Sequence, residues 1–381
     1  YVARSWDPDG AGPARELLVI GGAFSTIGEL QVNHIAAWDG SAWQALGGGT
    51  DADVYALAVY QGCLIAGGGF GSAGGELCSG IARWDGSTWQ SLGSGVYYDV
   101  AALAVYNGEL IAGGYFTLAG DQPANYIARW DGNAWHPLGS GLNGPALALT
   151  VYNGRLIVGG QFTQAGDALQ FHIAGWDGSS WSCVGAGFDA DVLTLCVRDG
   201  ELIAGGYFTS AGNHVAAWNG SFWRPLSTGL DNGVNALILF EDELVAGGIF
   251  YSAGGLPASF IACWNGTTWQ PMGLGVDAPA LALTVHEGAL IAGGSFSTSG
   301  GYPAAHLARW SCTAQAGDLN CDGLVNGYDI DPFVLALTSA PSFVAYYAAY
   351  PNCDGMLADV NYDGTVNGYD IDAFVACLTR Q

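Results

Sequence analysis

Two twelve-residue segments near the carboxyl end carry oxygen-bearing side chains at metal-binding spacing. The first runs from Asp318 through Asn320, Asp322 and Asn326 to Asp329; the second runs from Asp359 through Asn361, Asp363 and Asn367 to Asp370. Each places Asp or Asn at loop positions 1, 3, 5, 9 and 12, with Gly323 or Gly364 at position 6. Ca2+ takes about six to eight hard oxygen donors, and glycine permits the sharp turn between them. The carbonyls of Leu324 and Thr365 stand at position 7. Position 12 is Asp rather than Glu, so its reach is shorter than in a calcium-sensor loop. Asp-rich surface turns imitate one such loop by chance. Two full copies in one tail point to two calcium sites.

Each loop runs into an apolar, helix-like segment, residues 330–337 and 371–378. The duplicated Asp-x-Asn-x-Asp-Gly-x-Val-Asn-x-x-Asp pattern resembles the type I dockerin module over residues 318–381. That resemblance implies a small α-helical module with two EF-hand-like loops, each followed by a helix, in a pseudo-twofold pair. It also implies a partner of the cohesin kind, contacted through loop positions 10 and 11. Those positions are Gly327-Tyr328 and Gly368-Tyr369, where dockerins commonly carry hydroxyl residues. The two loops start 41 residues apart, longer than is usual. The extra stretch, residues 339–355, holds Tyr346, Tyr347 and Tyr350 and is expected to add contact surface.

The rest of the chain must position or be carried by that tail, and it is built on one phrase: Leu-Ile-Ala-Gly-Gly-x-Phe, then Ala-Gly, then Ile-Ala-x-Trp-Asp-Gly-x-x-Trp-x-x-Leu-Gly. Its phenylalanines are Phe24, Phe70, Phe116, Phe162, Phe208, Phe250 and Phe296, spaced by 46 residues except for one step of 42. A period of that length means stacked or radially repeated units. In the third copy, residues 102–106 form an apolar run that ends at Asn107-Gly108, a two-residue hairpin turn. Residues 110–116 are a second strand, 117–125 a loop, 126–130 a third strand, Asp131-Gly132 another hairpin turn and 134–138 a fourth strand. Pro137 suits an outer edge.

Four antiparallel strands per repeat describe a propeller blade. The expected fold is mainly β: a seven-bladed β-propeller over residues 1–310, a linker at 311–317 and the tail module at 318–381. Trp pairs mark the third and fourth strands from Trp38/Trp43 to Trp264/Trp269. The seventh repeat has only Trp310, so its outer strand is expected to be missing or irregular. Each Gly-Gly doublet is expected to admit a neighbouring indole or backbone at close approach. The repeats resemble kelch-like propellers. They are also similar to the Gly-Gly-x-Phe…Trp-Asp-Gly-x-x-Trp repeats of secreted bacterial surface proteins and fungal cortical-marker proteins.

Composition narrows the partners. Net charge is −25, with nine Arg and no Lys. Phosphate backbones and anionic lipid need a cationic surface, so nucleic acid and membrane surfaces are excluded. No apolar run reaches the length of a membrane span. The chain opens at Tyr1 rather than Met, which reads as a processed, exported product of extracellular or cell-surface location. Nine Cys with no Cys-x-x-Cys argue against zinc. The expected tail disulfides are Cys321 with Cys353 and Cys312 with Cys377.

Catalysis finds no foothold in the repeats. His34, His172, His214 and His306 share one repeat position, which holds Gly80, Tyr126 and Phe260 elsewhere. A slot tolerant of such different residues is structural. The loops leading into each inner strand carry Asp51, Asp53, Asp99, Asp189, Asp191, Asp231 and Asp277, with Tyr97, Tyr98 and Phe188 beside them. Asp capping tight turns is the expected role; an acidic rim for a cation, a cationic peptide or a sugar is the alternative. The reading is a non-catalytic propeller that binds a protein partner, a cohesin-like module or other copies of itself, through a calcium-stabilised tail. A self-assembling structural subunit and a carbohydrate-binding or carbohydrate-active propeller are the alternatives.

Overall fold

The computed structural model describes residues 1–311 except Ala11 and Pro13; in the tail it describes 330–340, 342–349, 355–358, 365–368, 370 and 371. The chain divides into two compact units. One comprises Tyr1–His286 with Leu290–Ala308, the other Glu287–Ala289 with Arg309–Gln381.

The first unit is mainly β, built from propeller-like antiparallel sheets. Six have four strands and one has three among the described residues. Their inner strands are Val2–Trp6, Val54–Tyr60, Val100–Tyr106, Ala146–Tyr152, Val192–Arg198, Val234–Phe240 and Ala280–His286. Each lies beside the next, and the first lies beside the last, so the inner strands follow a closed circuit.

The third sheet shows why the repeat folds this way. Val100–Tyr106 pairs with Glu109–Gly114, which pairs with Ile127–Trp130, which pairs with Trp135–Pro137. Tyr106 lies opposite Glu109, and Asn107 and Gly108 take the positive φ angles (51° and 80°) that a tight two-residue turn demands. The inner strand starts two residues earlier than its apolar run, and a register shift between Val100 and Ala102 marks a bulge there. The Asp-Gly segment differs from the expected two-residue turn. Trp130 lies opposite Trp135, so four residues make the loop. The Asp131 carboxylate holds it by accepting the N–H groups of Asn133 and Ala134, each at 2.8 Å. Asp39, Asp85 and Asp177, and Asn219 and Asn265, do the same in their own sheets.

The paired indoles both pack and tie. Trp130 and Trp135 sit 5.4 Å apart and tilted. The Trp135 Nε1–H donates to the Leu92 carbonyl of the preceding sheet at 2.9 Å, and Trp89, Trp181, Trp223 and Trp269 repeat that bond one sheet along. Tyr106 and Tyr152 tie the opposite ends, their hydroxyls donating to the carbonyls of Gly154 and Gly200. Phe116, Phe162, Phe208, Phe250 and Phe296 are fully buried between sheets. Each such ring contributes about 2 kcal/mol by leaving water.

The glycine doublets are explained by backbone and inner-strand neighbours rather than by indoles. A Cβ on Gly67 would meet Val100 Cγ1 at 2.5 Å, and one on Gly113 would meet Ala146 Cβ at 2.8 Å, both on the next sheet. The second glycine, Gly68 or Gly114, would clash with the carbonyl of Asp53 or Asp99. The indoles instead approach other glycines, such as Gly47 beside Trp84 and Gly93 beside Trp130.

The segment expected as a plain loop at 117–125 holds a small hairpin, Leu118–Ala119 against Gln122–Pro123. This arm also pairs with Val96–Tyr97, which leads into the same sheet's inner strand. Equivalent bridges run from Thr50 to Ala73, Leu142 to Ala165, Leu230 to Ala253 and Val276 to Ser299. The fifth sheet has no arm strands between Glu201–Gly206 and Val215–Trp218, which accounts for the short spacing from Phe208 to Phe250. The seventh sheet orders Ala280–His286, Ala289–Gly294 and Leu307–Ser311.

In the second unit, a helix spans Ile330–Ser339 and buries Pro332, Phe333 and Ala336. A second helix, Val344–Ala349, packs on it, as does a short 3-10 turn at Gly355–Ala358. Tyr346 is fully buried, not the contact surface expected of it. Tyr350, Gly327, Tyr328, Tyr369, the four tail cysteines and the first calcium-type loop lie outside the described residues. Among the described residues no helix is long and apolar enough to cross a membrane. Cys63, Cys78, Cys183, Cys196 and Cys263 are free thiols.

Candidate functional site

The repeat slot occupied by four histidines is set by its backbone. His34, Gly80, Tyr126, His172, His214, Phe260 and His306 all have φ between 62° and 72°. Each donates its N–H to the carbonyl of the phenylalanine that ends the doublet motif, as Tyr126 does to Phe116 at 2.8 Å. Each accepts from the second glycine of the doublet, as Tyr126 does from Gly114 at 3.1 Å. The slot is a left-handed corner, an unusual place for bulky residues. The His rings are held in turn: the Nδ1 atoms of His34 and His172 lie 3.2 and 3.0 Å from the carbonyls of Gly22 and Gly160.

The leading-loop carboxylates fall into two sets that alternate along each loop. Asp51, Asp189, Asp231 and Asp277, with Asn143, form the first. Each turns its Oδ1 to two consecutive N–H groups of its own sheet's arm segment, as Asp189 does to Thr209 and Ser210, both at 2.9 Å. Asp51 serves Gly71 and Ser72, Asn143 serves Thr163 and Gln164, and Asp277 serves Ser297 and Thr298. These are the turn-capping carboxylates expected. The Ser297 hydroxyl, with the N–H groups, lowers the Asp277 pKa to about 2. For Asp189, burial opposes ionisation but the Ser210 and Thr209 bonds outweigh it, leaving its pKa well below the usual carboxylate range.

The second set, Asp53, Asp99 and Asp191, uses its backbone carbonyls to receive Gly69, Tyr115 and Tyr207 and leaves its carboxylates for other contacts. Asp53 lies 3.2 Å from His34 Nδ1. Asp191 accepts from Gln161 Nε2 at 2.9 Å and lies 3.5 Å from His172 Nδ1. Asp99 has neither kind of neighbour. The slot residue that would cover it is Gly80, and the residue facing it from the second doublet loop is Gly69. A Cβ on Gly69 would stand 3.1 Å from Asp99 Oδ1 and 3.6 Å from the Tyr55 ring. Among the described residues the Asp99 carboxylate accepts no hydrogen bond and joins no ion pair.

Tyrosines frame this gap. Burial, then Asp53 and Asp99, raises the Tyr55 pKa. Burial, then Asp191 and Asp99, raises that of Tyr115. Both phenols stay neutral and can donate. Tyr97 and Tyr98 stand where the other loops place their capping Asp or Asn and the residue after it. They are 64% and 67% exposed, with rings edge to face at 5.2 Å. Tyr98 has φ 97°, well outside the regions that bulky residues favour. Its carbonyl lies 2.8 Å from where a Gly80 Cβ would be, which is why glycine fills that one slot. Sequence reasoning placed Asp99, Tyr97 and Tyr98 together but not the gap, because the gap is made by two glycines from the neighbouring sheet.

No family profile matches the chain, and no curated protein does. Among solved structures it is similar to the computationally designed Ika8 protein at 18% identity and a TM-score of 0.47, over 77% of this chain and 80% of that one. It is also similar to a chain of the Mitotic Checkpoint Complex at 17% identity and a TM-score of 0.49, over 76% of this chain and 82% of that one. The propeller-like fold rests on the sheets and registers described above.

Of the expected metal ligands, Thr365, Asn367 and Asp370 are described; Asp318, Asn320, Asp322, Leu324, Asn326, Asp329, Asp359, Asn361 and Asp363 lie outside the described residues. Asp370 is fully buried, and its Oδ2 accepts the Asn367 N–H at 2.9 Å. The Asn367 Nδ2 donates to Thr365 Oγ1 at 2.7 Å. This folds the position-12 carboxylate back over the position-9 backbone. The Asn367 Nδ2 also donates to the Thr365 carbonyl at 3.3 Å, and carboxylate, carbonyl and amide oxygens are the donor types a hard divalent cation takes. Gly368, expected at the partner surface, is exposed, with open space where a Cβ would stand.

Proposed function

We propose that this chain is a secreted or cell-surface, non-catalytic interaction scaffold. Its seven-bladed propeller, with an outer strand lacking in the last blade, is joined to a dockerin-like tail that two Ca2+ ions stiffen for docking onto a partner protein. The observation that carries this reading is the duplicated oxygen-ligand loop at 318–329 and 359–370. Asp318, Asn320, Asp322, the Leu324 carbonyl, Asn326 and Asp329 would hold one ion, and Asp359, Asn361, Asp363, the Thr365 carbonyl, Asn367 and Asp370 the other. Bound Ca2+ supplies charge neutralisation, so carboxylates that otherwise repel can share one loop. Gly327-Tyr328 and Gly368-Tyr369 would then present the partner-facing surface.

Calcium titration of the full chain by calorimetry tests this. Two sites are expected, one lost in Asp318→Ala and the other in Asp359→Ala, with helix hydrogen exchange slowing on metal addition. Absence of uptake at millimolar Ca2+, or a tail whose exchange is the same in chelator, ends the proposal.

A further inference from the structure

We propose that the gap around Asp99 is a docking site for an arginine side chain of a partner protein. The surface is an exposed tyrosine patch, and its charge selects the occupant. Tyr97, Tyr98 and Tyr115 are 64%, 67% and 44% exposed, and Leu118, paired across from Tyr97, is 43% exposed. Aromatic rings exposed together on one loop cluster mark an interaction surface. At the corresponding point of five other sheets the loop carries Asp or Asn bonded to its arm. Here that bond is given up and a tyrosine takes a strained backbone.

Three features say which side chain fits. The Asp99 carboxylate stands in the gap left by Gly69 and Gly80, with no counterion among the described residues. The two equivalent carboxylates have neighbours: Asp53 has His34, and Asp191 has His172 and Gln161. No described arginine pairs with Asp99. Arg83, Arg129 and Arg224 sit on third or fourth strands towards the hairpin ends, and Arg155 and Arg198 flank turns there. The Tyr1 ammonium serves Asp53, so among the described residues Asp99 is left without a partner of opposite sign, in a chain of net charge −25. A guanidinium is planar, stacks on tyrosine faces, and binds a carboxylate through paired N–H bonds, which a spherical cation or an ammonium cannot do. The residues of this site all belong to the first unit.

The test uses the full chain, an oligoarginine peptide, and an oligocitrulline peptide of the same length, which keeps the planar group but lacks the charge. Affinity is measured by calorimetry at low and moderate salt. Oligoarginine should bind, oligocitrulline should not, and Asp99→Asn should weaken binding about tenfold. Tyr98→Ala with Tyr115→Ala should weaken it severalfold. Glu241→Gln with Asp242→Asn, which removes two carboxylates from a hairpin turn between Val234–Phe240 and Glu243–Gly248, should leave it unchanged. Melting temperatures verify that each variant is folded. Equal losses in Asp99→Asn and the hairpin-turn variant would mean diffuse charge attraction and overturn the site. Equal binding of oligocitrulline would make the patch a neutral stacking surface and overturn the arginine assignment, as would no binding at low salt.

Discussion

The loop leading into the third sheet and the loop leading into the fifth start from the same backbone plan and end as different objects. In both, a carbonyl two residues past the arm contact receives the N–H that follows the glycine doublet, Asp99 to Tyr115 and Asp191 to Tyr207, each at 2.9 Å. In the fifth, Asp189 spends its carboxylate on Thr209 and Ser210, and its loop is bound to its own sheet. In the third, Tyr97 and Tyr98 make no such bond and face outward. The repeat thus fixes the main chain, while a two-residue change converts an internal clamp into exposed surface. The neighbouring sheet records the same change at Gly80.

The largest effect expected from testing that contrast is at Gly80. The slot accepts His, Tyr and Phe in other sheets, so left-handed geometry alone is no barrier beyond about 1 kcal/mol. Gly80→His should nevertheless destabilise by about 3 kcal/mol in denaturant unfolding, because its Cβ meets the carbonyls of Tyr98 and Val96. In a background with Tyr97→Asp and Tyr98→Ala, which restores the fifth sheet's loop sequence, the cost should fall by half or more. An unchanged cost would show that the two positions are not coupled.

A smaller effect separates the loops directly. Asp189→Ala should cost about 1 kcal/mol, since two arm N–H groups lose their acceptor. Tyr97→Ala, on an exposed side chain, should stay within about 0.5 kcal/mol. Equal costs would mean that the tyrosines also clamp.

The smallest effect is a pH dependence confined to the clamped loops. Asp189 and Asp277 have folded pKa values below the unfolded value of about 3.9. Their stabilising contribution is present above that value and is lost as pH falls from about 4 towards 2. Over that window the amides of Thr209, Ser210, Ser297 and Thr298 should lose hydrogen-exchange protection relative to the matching Thr117 and Leu118 amides. Parallel loss at all six positions would erase the distinction.

Much of this architecture was legible in the residues, and the reasons for the rest are physical. Buried Phe116, the Trp130/Trp135 pair and the Asn107-Gly108 turn have strong local signals that match their observed roles. The arms were missed because strands as short as Leu118–Ala119 show no alternation to detect. The Asp131 loop was read as shorter because Asp-Gly serves two-residue and four-residue turns alike. Asp51 and Asp53 are two residues apart in one loop, and only the fold reveals that one caps an arm while the other faces a histidine. Gly80 stood out as a substitution in the slot, but its cause is a carbonyl on the next sheet. Tyr346 was read as surface because aromatic content does not tell which side of a short helix meets its neighbour.

The five indole bonds, each from one sheet to the one before, have a mechanical consequence. A force pulling on Trp135 is passed through its N–H to Leu92, and from that sheet through Trp89 to Leu46. Load entering at one point is shared along these six linked sheets instead of peeling a single sheet away. A protein put together so would resist stretching as a linked chain does across those sheets.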